Sequence, residues 1–84
     1  MNRASIEIEY CVECMFLPCA IELAQAILDT QADKIRSLTL VPGHEGVFDV
    51  SVNHKKIFVM EGVLPKSDYV QKRVREALAA ETGL

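Results

Sequence analysis

Residues 5–10 read SIEIEY and residues 11–14 read CVEC. Isoleucine and tyrosine alternate with two glutamates over 5–10, which is typical of a β-strand with one face in water, or of an edge strand. From residue 14 the apolar residues recur every three or four positions, which predicts an amphipathic helix over 14–30. Pro18 falls too late for the preferred first helical position, so we expect it to kink the helix or to confine regular helix to later residues.

The rest of the chain predicts three more strands and a second helix. The strands are expected at residues 35–41, 47–52 and 55–60, and the loops between and after them at 42–46, 53–54 and 61–65. The helix is expected to begin at Ser67, its N-cap, and to stop at Gly83. Asn53-His54 is a short turn able to take a left-handed conformation, which makes the last two strands a hairpin. The second helix turns an apolar face inward, formed by Val70, Val74, Ala77 and Leu78.

This order, β-α-β-β-β-α, predicts an α/β fold of the α+β sandwich kind, with a mixed four-stranded sheet and two helices in one domain spanning 1–84. The first two strands are joined by a right-handed crossover and are therefore parallel. Both end on one edge of the sheet, so His44, in the loop after the second strand, lies on the side of the cysteines. The loop at 62–65 faces the same edge, where ligand sites of open sheets are common.

Composition excludes several functional classes. The chain has 84 residues, half of them apolar and a quarter charged, which is typical of one globular domain rather than of a disordered chain. Nine basic against twelve acidic residues give a net charge of −3, which disfavours a nucleic-acid binder. The longest apolar run, residues 15–21, is far shorter than the roughly 20 residues of a membrane span, and the N-terminus does not read as a signal peptide.

Three cysteines are an odd number, which argues against a secreted disulfide scaffold and for a reducing cytoplasm. Cys11 and Cys14 lie where the first strand ends and the helix begins. Their CxxC spacing lets the sulfurs meet across a helical first turn, where backbone N–H groups favour a thiolate. The pair therefore indicates a thiol–disulfide site.

A set of motifs, in this order and spacing, resembles the Rdx family, the group of thioredoxin-like proteins related to selenoproteins W, T and H. The matching segments are YCVEC (10–14), GVFDV (46–50), VN (52–53), GVLP (62–65) and residues 70–75. The resemblance covers about Ile6 to Leu78. It differs at Asn53-His54, where the family commonly has Asn-Gly or Asp-Gly, and at Val63-Leu64, where the family often has Gly-Phe.

The resemblance implies a thioredoxin-like fold and a redox motif of CxxC or Cys-x-x-selenocysteine. Cys14 matches the selenocysteine position, which implies that it is the more reactive sulfur and Cys11 its partner. Thioredoxin logic instead nominates Cys11 as the attacking thiol, so both assignments stay open, with Cys14 favoured. By the same analogy Pro65, after Leu64, is a candidate for the cis-proline that such folds place near the redox pair.

Other interpretations compete for these residues. A structural zinc site needs four ligands, but the chain has no second CxxC and only His44 is placed to help. Cys19 should point away from Cys14 along the helix and act as a packing residue, and Phe16 should pack in the core. His44 is either solvated or a group that stabilises a thiolate. Glu13, beside Val12 between the cysteines, opposes a thiolate if it approaches one, and a solvent-facing position is favoured.

The functional expectation is a thiol–disulfide redox protein, with enzymatic turnover left open and no organic cofactor or metal required. Its partner would be a protein disulfide or a low-molecular-weight thiol, and a thioredoxin or glutathione system would recycle it. Neither nucleic acid nor membrane is expected as a partner, and the chain should be a monomer or weak dimer. The alternatives are a redox-gated binding module of the same fold and, less favoured, a zinc-stabilised structural module.

Overall fold

The structure, a computed structural model, describes residues 3–82. Its elements are β1 (Ala4–Cys11), α1 (Leu17–Gln31), a short 3-10 helix (Ala32–Lys34), β2 (Ile35–Gly43), β3 (Phe48–Val52), β4 (Lys55–Val59) and α2 (Ser67–Thr82). The predicted order and the predicted mixed four-stranded sheet with two helices are confirmed. Neither helix in this part of the chain has the length and apolar character needed to cross a membrane.

The four strands lie in the order β2-β1-β3-β4. β1 is parallel to β2 and antiparallel to β3, and Ile8 lies between Leu40 and Val50 in the two pairings. β4 runs antiparallel to β3. β1 is therefore an inner strand, and the alternative interpretation of an edge strand is wrong.

The core lies between one face of the sheet and the two helices, which also contact each other. Ile6 and Ile8 of β1 are fully buried there, whereas the alternating Glu7 and Glu9 stay partly exposed on the other face. The buried residues that the helices add are Ala20, Leu23, Ala24, Ile27, Val70, Val74 and Leu78. The period-two and helical patterns of the sequence thus meet in one apolar cluster.

α1 begins at Leu17, three residues later than predicted, because Met15 has a left-handed backbone with φ of 61°. Pro18 consequently lies in the first helical turn, where a missing N–H removes no helical hydrogen bond. The predicted kink is therefore wrong.

Ser67 is the first residue of α2 and not its N-cap as predicted, because the Lys66 carbonyl accepts the first helical hydrogen bond, from the Val70 N–H at 3.3 Å. The Ser67 hydroxyl accepts a hydrogen bond from Gln71 at 2.8 Å. The predicted stop at Gly83 lies outside the described residues.

β2 continues to Gly43, two residues beyond the predicted strand, so Pro42 and Gly43 belong to the strand and not to the loop. Proline is tolerated here because β2 is an edge strand and its backbone nitrogen needs no ladder partner. Gly43 lies opposite Cys11, and a Cβ at this position would come within 2.7 Å of the Val47 side chain. The absence of a side chain at Gly43 therefore leaves room for the side chains of Val47 and Glu9 beside the end of β1.

The β3–β4 turn has two left-handed residues, Asn53 with φ of 52° and His54 with φ of 67°. Such a pair matches the twist of a two-residue hairpin. The Asn53 side chain accepts a hydrogen bond from the Ser5 N–H at 3.0 Å and donates one to Glu81 at 3.1 Å. The turn is thereby joined both to β1 and to the end of α2.

Candidate functional site

Cys11 is the last residue of β1 and Cys14 lies in the turn before α1. Their Sγ atoms are joined in a disulfide, with the Cα atoms 5.3 Å apart. The prediction that the two sulfurs meet is confirmed. The motif lies ahead of the helix rather than in its first turn, because the left-handed Met15 separates them.

Two backbone hydrogen bonds shape the turn: the Met15 N–H donates to the Val12 carbonyl at 3.1 Å, and the Phe16 N–H donates to the Cys11 carbonyl at 3.3 Å. Below the turn the Phe16 ring packs edge-on against Phe48, with ring centroids 6.1 Å apart. Phe16 thus packs against the core, as expected from the sequence. The residue two positions after Cys14 is therefore anchored to the core.

The two cysteines differ in access to solvent. Cys11 is 0% exposed and belongs to the end of a buried strand, whereas Cys14 is exposed. Its neighbour Met15 is 80% exposed. An incoming reagent consequently meets the sulfur of Cys14 first.

Glu13 joins the cysteine turn to the β2–β3 loop. Its Oε1 lies 3.0 Å from His44 Nδ1, and its Oε2 accepts a hydrogen bond from the Glu45 N–H at 3.4 Å. The Val12 N–H donates to the Gly43 carbonyl at 3.0 Å and fixes the same approach through the backbone. The structure thus brings Val12, Glu13 and His44 together beside the disulfide.

The hydrogen bond with His44 is the largest cause of a lowered pKa of the Glu13 carboxyl, and backbone hydrogen bonds add to it. A carboxyl group whose pKa is lower in the folded than in the unfolded state stabilises the folded state at pH values above its unfolded-state pKa. This stabilisation is lost as the pH falls through the folded-state pKa. Since the ordinary value is 4.5, the loss occurs below that pH.

We therefore expect Glu13→Gln to be slightly less stable than the wild type at pH 7, and the difference to be smaller at pH 3, which lies below the ordinary pKa of 4.5. Urea denaturation at the two pH values measures it. Glu76→Gln, on the exposed side of α2, is the matched control and should show no such pH-dependent difference. A Glu13→Gln deficit that is equal at both pH values would contradict the assigned role of the carboxylate.

Leu64 and Pro65 lie in the loop after β4, where they line a small cleft with Cys19 and Phe48. No peptide bond among residues 3–82 is cis, so Pro65, the candidate for a cis-proline, has the trans form that even X–Pro bonds prefer. Cys19 is half-buried, packs against the core and forms no disulfide.

Within the described residues, no group of three or more histidine, cysteine, aspartate or glutamate side chains is arranged to hold a metal ion. His44, the only residue placed to complete a zinc site with the cysteines, is engaged with Glu13 instead.

Sequence reasoning missed Gly43 and Phe48 in this region, and it missed the left-handed backbone of Met15. The signal for Gly43 was present, because a glycine at the end of a strand parallel to β1 permits close approach to the motif. Phe48 could be assigned to the core but not to the cysteine turn. The left-handed backbone of Met15 carries no signal in its residue type.

Comparison with known proteins places this geometry in a family. A model of the Rdx family matches residues 5–76. The crystal structure of a selenoprotein W-related protein from Vibrio cholerae is 32% identical, covers 92% of this chain and 99% of its own, and superimposes with a TM-score of 0.83. A crystal structure of a protein from Bordetella parapertussis is 31% identical, covers 90% and 99%, and gives a TM-score of 0.82.

No curated protein matches the chain. The family match extends over most of the sequence and includes the cysteine motif, which agrees with the resemblance seen in the sequence. The chain belongs to the Rdx family.

Proposed function

We propose that the protein is a thiol–disulfide redox protein in which Cys14 attacks the partner and Cys11 resolves the mixed disulfide. The observation that carries this proposal is the Cys11–Cys14 disulfide itself, in which Cys14 is an exposed residue and Cys11 a buried one. Membership of the Rdx family and the CxxC spacing agree with a redox role.

The reaction begins from the dithiol form. The Cys14 thiolate attacks one sulfur of a partner disulfide, so that a Cys14–partner bond forms and the second partner sulfur leaves as a thiolate. The Cys11 thiolate then attacks Cys14, which forms the intramolecular disulfide and releases the first partner sulfur. The partner gains two electrons and the protein loses two.

The cycle closes when a thioredoxin- or glutathione-type thiol reduces the disulfide by the reverse exchange. Sulfur supplies all of this chemistry, so no organic cofactor or metal takes part. The partner that is reduced is a protein disulfide, and a low-molecular-weight thiol can act as the reductant that closes the cycle. The reducing conditions that the reaction needs are those of a cytoplasm.

A redox-gated binding module is the second candidate. Exposed apolar side chains flank the disulfide, with Val12 48% and Met15 80% exposed. Opening the disulfide would free the turn that presents them, and a partner could then recognise one redox state. Such a switch needs only one redox change, whereas an enzyme must cycle.

A turnover assay separates the two candidates. With excess glutathione as reductant and a disulfide-bonded peptide as substrate, we expect many substrate equivalents reduced per protein, and no reduction above background with Cys14→Ser. Cys19→Ser is the matched cysteine control and should retain the rate. Reduction limited to about one equivalent, as a single dithiol supplies, together with binding that depends on oxidation, would instead establish the switch.

A further inference from the structure

A groove of about 600 Å³ lies between β4, the loop that follows it and the first half of α2. We call it the β4 groove. Its lining includes Phe58, Val63, Pro65, Lys66, Tyr69 and Arg73. It does not contain either residue of the Cys11–Cys14 pair.

One wall of the β4 groove is a free strand edge. β4 is the last strand of the sheet, and among residues 3–82 only β3 pairs with it. Backbone N–H and C=O groups at such an edge are available to an added strand. An extended peptide can therefore gain main-chain hydrogen bonds here, as in other cases of β-strand addition.

The floor of the groove is aromatic. The rings of Phe58 and Tyr69 meet edge to face, with centroids 6.0 Å apart. Tyr69 is 49% exposed, and Val63 beside it is 76% exposed. Apolar side chains on one face of an added strand would cover this surface.

The rim of the groove is positively charged, although the whole chain carries −3. Lys56, Lys66 and Arg73 line it against the single acid Glu61. Lys56 already contacts the Asp49 carboxylate at 3.0 Å, so attraction for a ligand falls mainly to Lys66 and Arg73. Arg73 also donates a hydrogen bond to the Tyr69 hydroxyl at 3.2 Å, which holds its charge at the aromatic floor.

These charges decide between possible occupants. A second copy of this chain, paired through β4, would present the segment KKIFV (Lys55–Val59), which has no acidic side chain to offer the basic rim. A nucleic acid could meet the cations but has no peptide backbone to pair with the strand edge. An extended acidic peptide satisfies the edge, the floor and the rim together.

We propose that an acidic, extended segment of a partner protein docks in the β4 groove as a fifth strand of the sheet. The interpretation of the β4 groove as a substrate site rests on the redox function proposed above. The groove shares Pro65 with the cleft that Cys19 and Leu64 line. The loop after β4 also lies at the sheet edge that carries the cysteines. At this edge the Met60 N–H donates to the Phe48 carbonyl, and Phe48 pairs with Tyr10, the residue before Cys11. Docking would thus bring a partner's disulfide to the side of the molecule that carries Cys14.

The probe for this proposal is a fluorescein-labelled hexapeptide of alternating glutamate and valine without cysteine, and the readout is fluorescence anisotropy. The charge-reversed double variant K66E/R73E should bind at least about tenfold more weakly than the wild type, since it replaces attraction by like-charge contact. K72E/R75E makes the same change of charge at exposed α2 positions that do not line the groove, and it should bind within about twofold of the wild type.

Strand addition is tested by modifying the peptide and leaving the protein unchanged, so the test does not depend on the folding of a protein variant. Two peptides are compared, one N-methylated at its odd-numbered residues and one at its even-numbered residues. The peptide whose methylated nitrogens face β4 should lose binding and the other should keep it, because only one set of N–H groups pairs with the edge. Equal binding of the two methylated peptides, or equal weakening by K66E/R73E and K72E/R75E, would overturn the proposal. So would a concentration-dependent dimer that K66E/R73E disperses, because it would assign the edge to a second copy.

Failure of this proposal is distinguishable from failure of the redox function. Because the probe has no cysteine, Cys14→Ser should bind it as tightly as the wild type does. Absence of binding with turnover intact would refute the β4 groove alone. Binding without turnover would refute the redox enzyme and leave the groove as a docking site.

Discussion

Cys11→Ser should remain covalently attached to its partner through Cys14, whereas Cys14→Ser should form no adduct. Cys14 is exposed and Cys11 is 0% exposed, so an external disulfide reaches only the first of them. In Cys11→Ser the attack still occurs, but the serine hydroxyl cannot resolve the mixed disulfide. In Cys14→Ser the remaining thiol is buried and the first step fails.

Both variants are best made in a Cys19→Ser background, because Cys19 is the third thiol. Each reduced protein is mixed with oxidised glutathione, and intact mass spectrometry counts the adducts. We expect nearly one glutathione per molecule of Cys11→Ser and almost none for Cys14→Ser. The opposite pattern would make Cys11 the attacking sulfur, as thioredoxin logic suggests, and would contradict the mechanism proposed here.

Ile8→Ala should lower the free energy of unfolding by about 2–5 kcal/mol, the usual range for truncating a buried isoleucine to alanine. Ile8 is 0% exposed and lies in the middle of β1, between β2 and β3 and under both helices. Small domains are stable by only about 5–15 kcal/mol, so the loss would remove a large share of the total.

Urea denaturation followed by circular dichroism measures this loss. Ile21→Ala is the matched control, because Ile21 is 49% exposed on α1, and it should cost no more than about 0.5 kcal/mol. Ile8→Val removes one methylene, stays folded, and should cost about 0.5–1.5 kcal/mol. Similar losses for Ile8→Ala and Ile21→Ala would contradict the position of the core.

The sheet and its helices were predictable because their signals are local and repeated. Alternation over residues 5–10 predicts β1. Apolar residues at three- and four-residue spacing predict the helices, and the turn Asn53-His54 between two predicted strands predicts the hairpin. The parallel crossover follows from the order of elements together with the handedness of β-α-β units. The same rule predicts His44 on the cysteine side of the sheet, where its ring contacts Glu13.

Features decided by tertiary contacts or by one backbone angle were not predictable. Met15 adopts a left-handed conformation that its residue type does not favour, and this delays α1 and makes Pro18 part of its first turn. β2 extends through Pro42 because an edge strand tolerates proline, which is known only after the strand order is known. The difference in burial between Cys11 and Cys14 likewise depends on how the two helices pack against the sheet.

The most direct test of the central claim is the reduction potential of the Cys11–Cys14 pair. The protein is equilibrated in graded glutathione buffers, and its free thiols are alkylated and counted by mass spectrometry. We predict one reversible two-electron step in or near the cytosolic glutathione range, about −220 to −320 mV, with Cys19 alkylated throughout. Failure of Cys11 and Cys14 to form a disulfide at any glutathione ratio would contradict the dithiol mechanism.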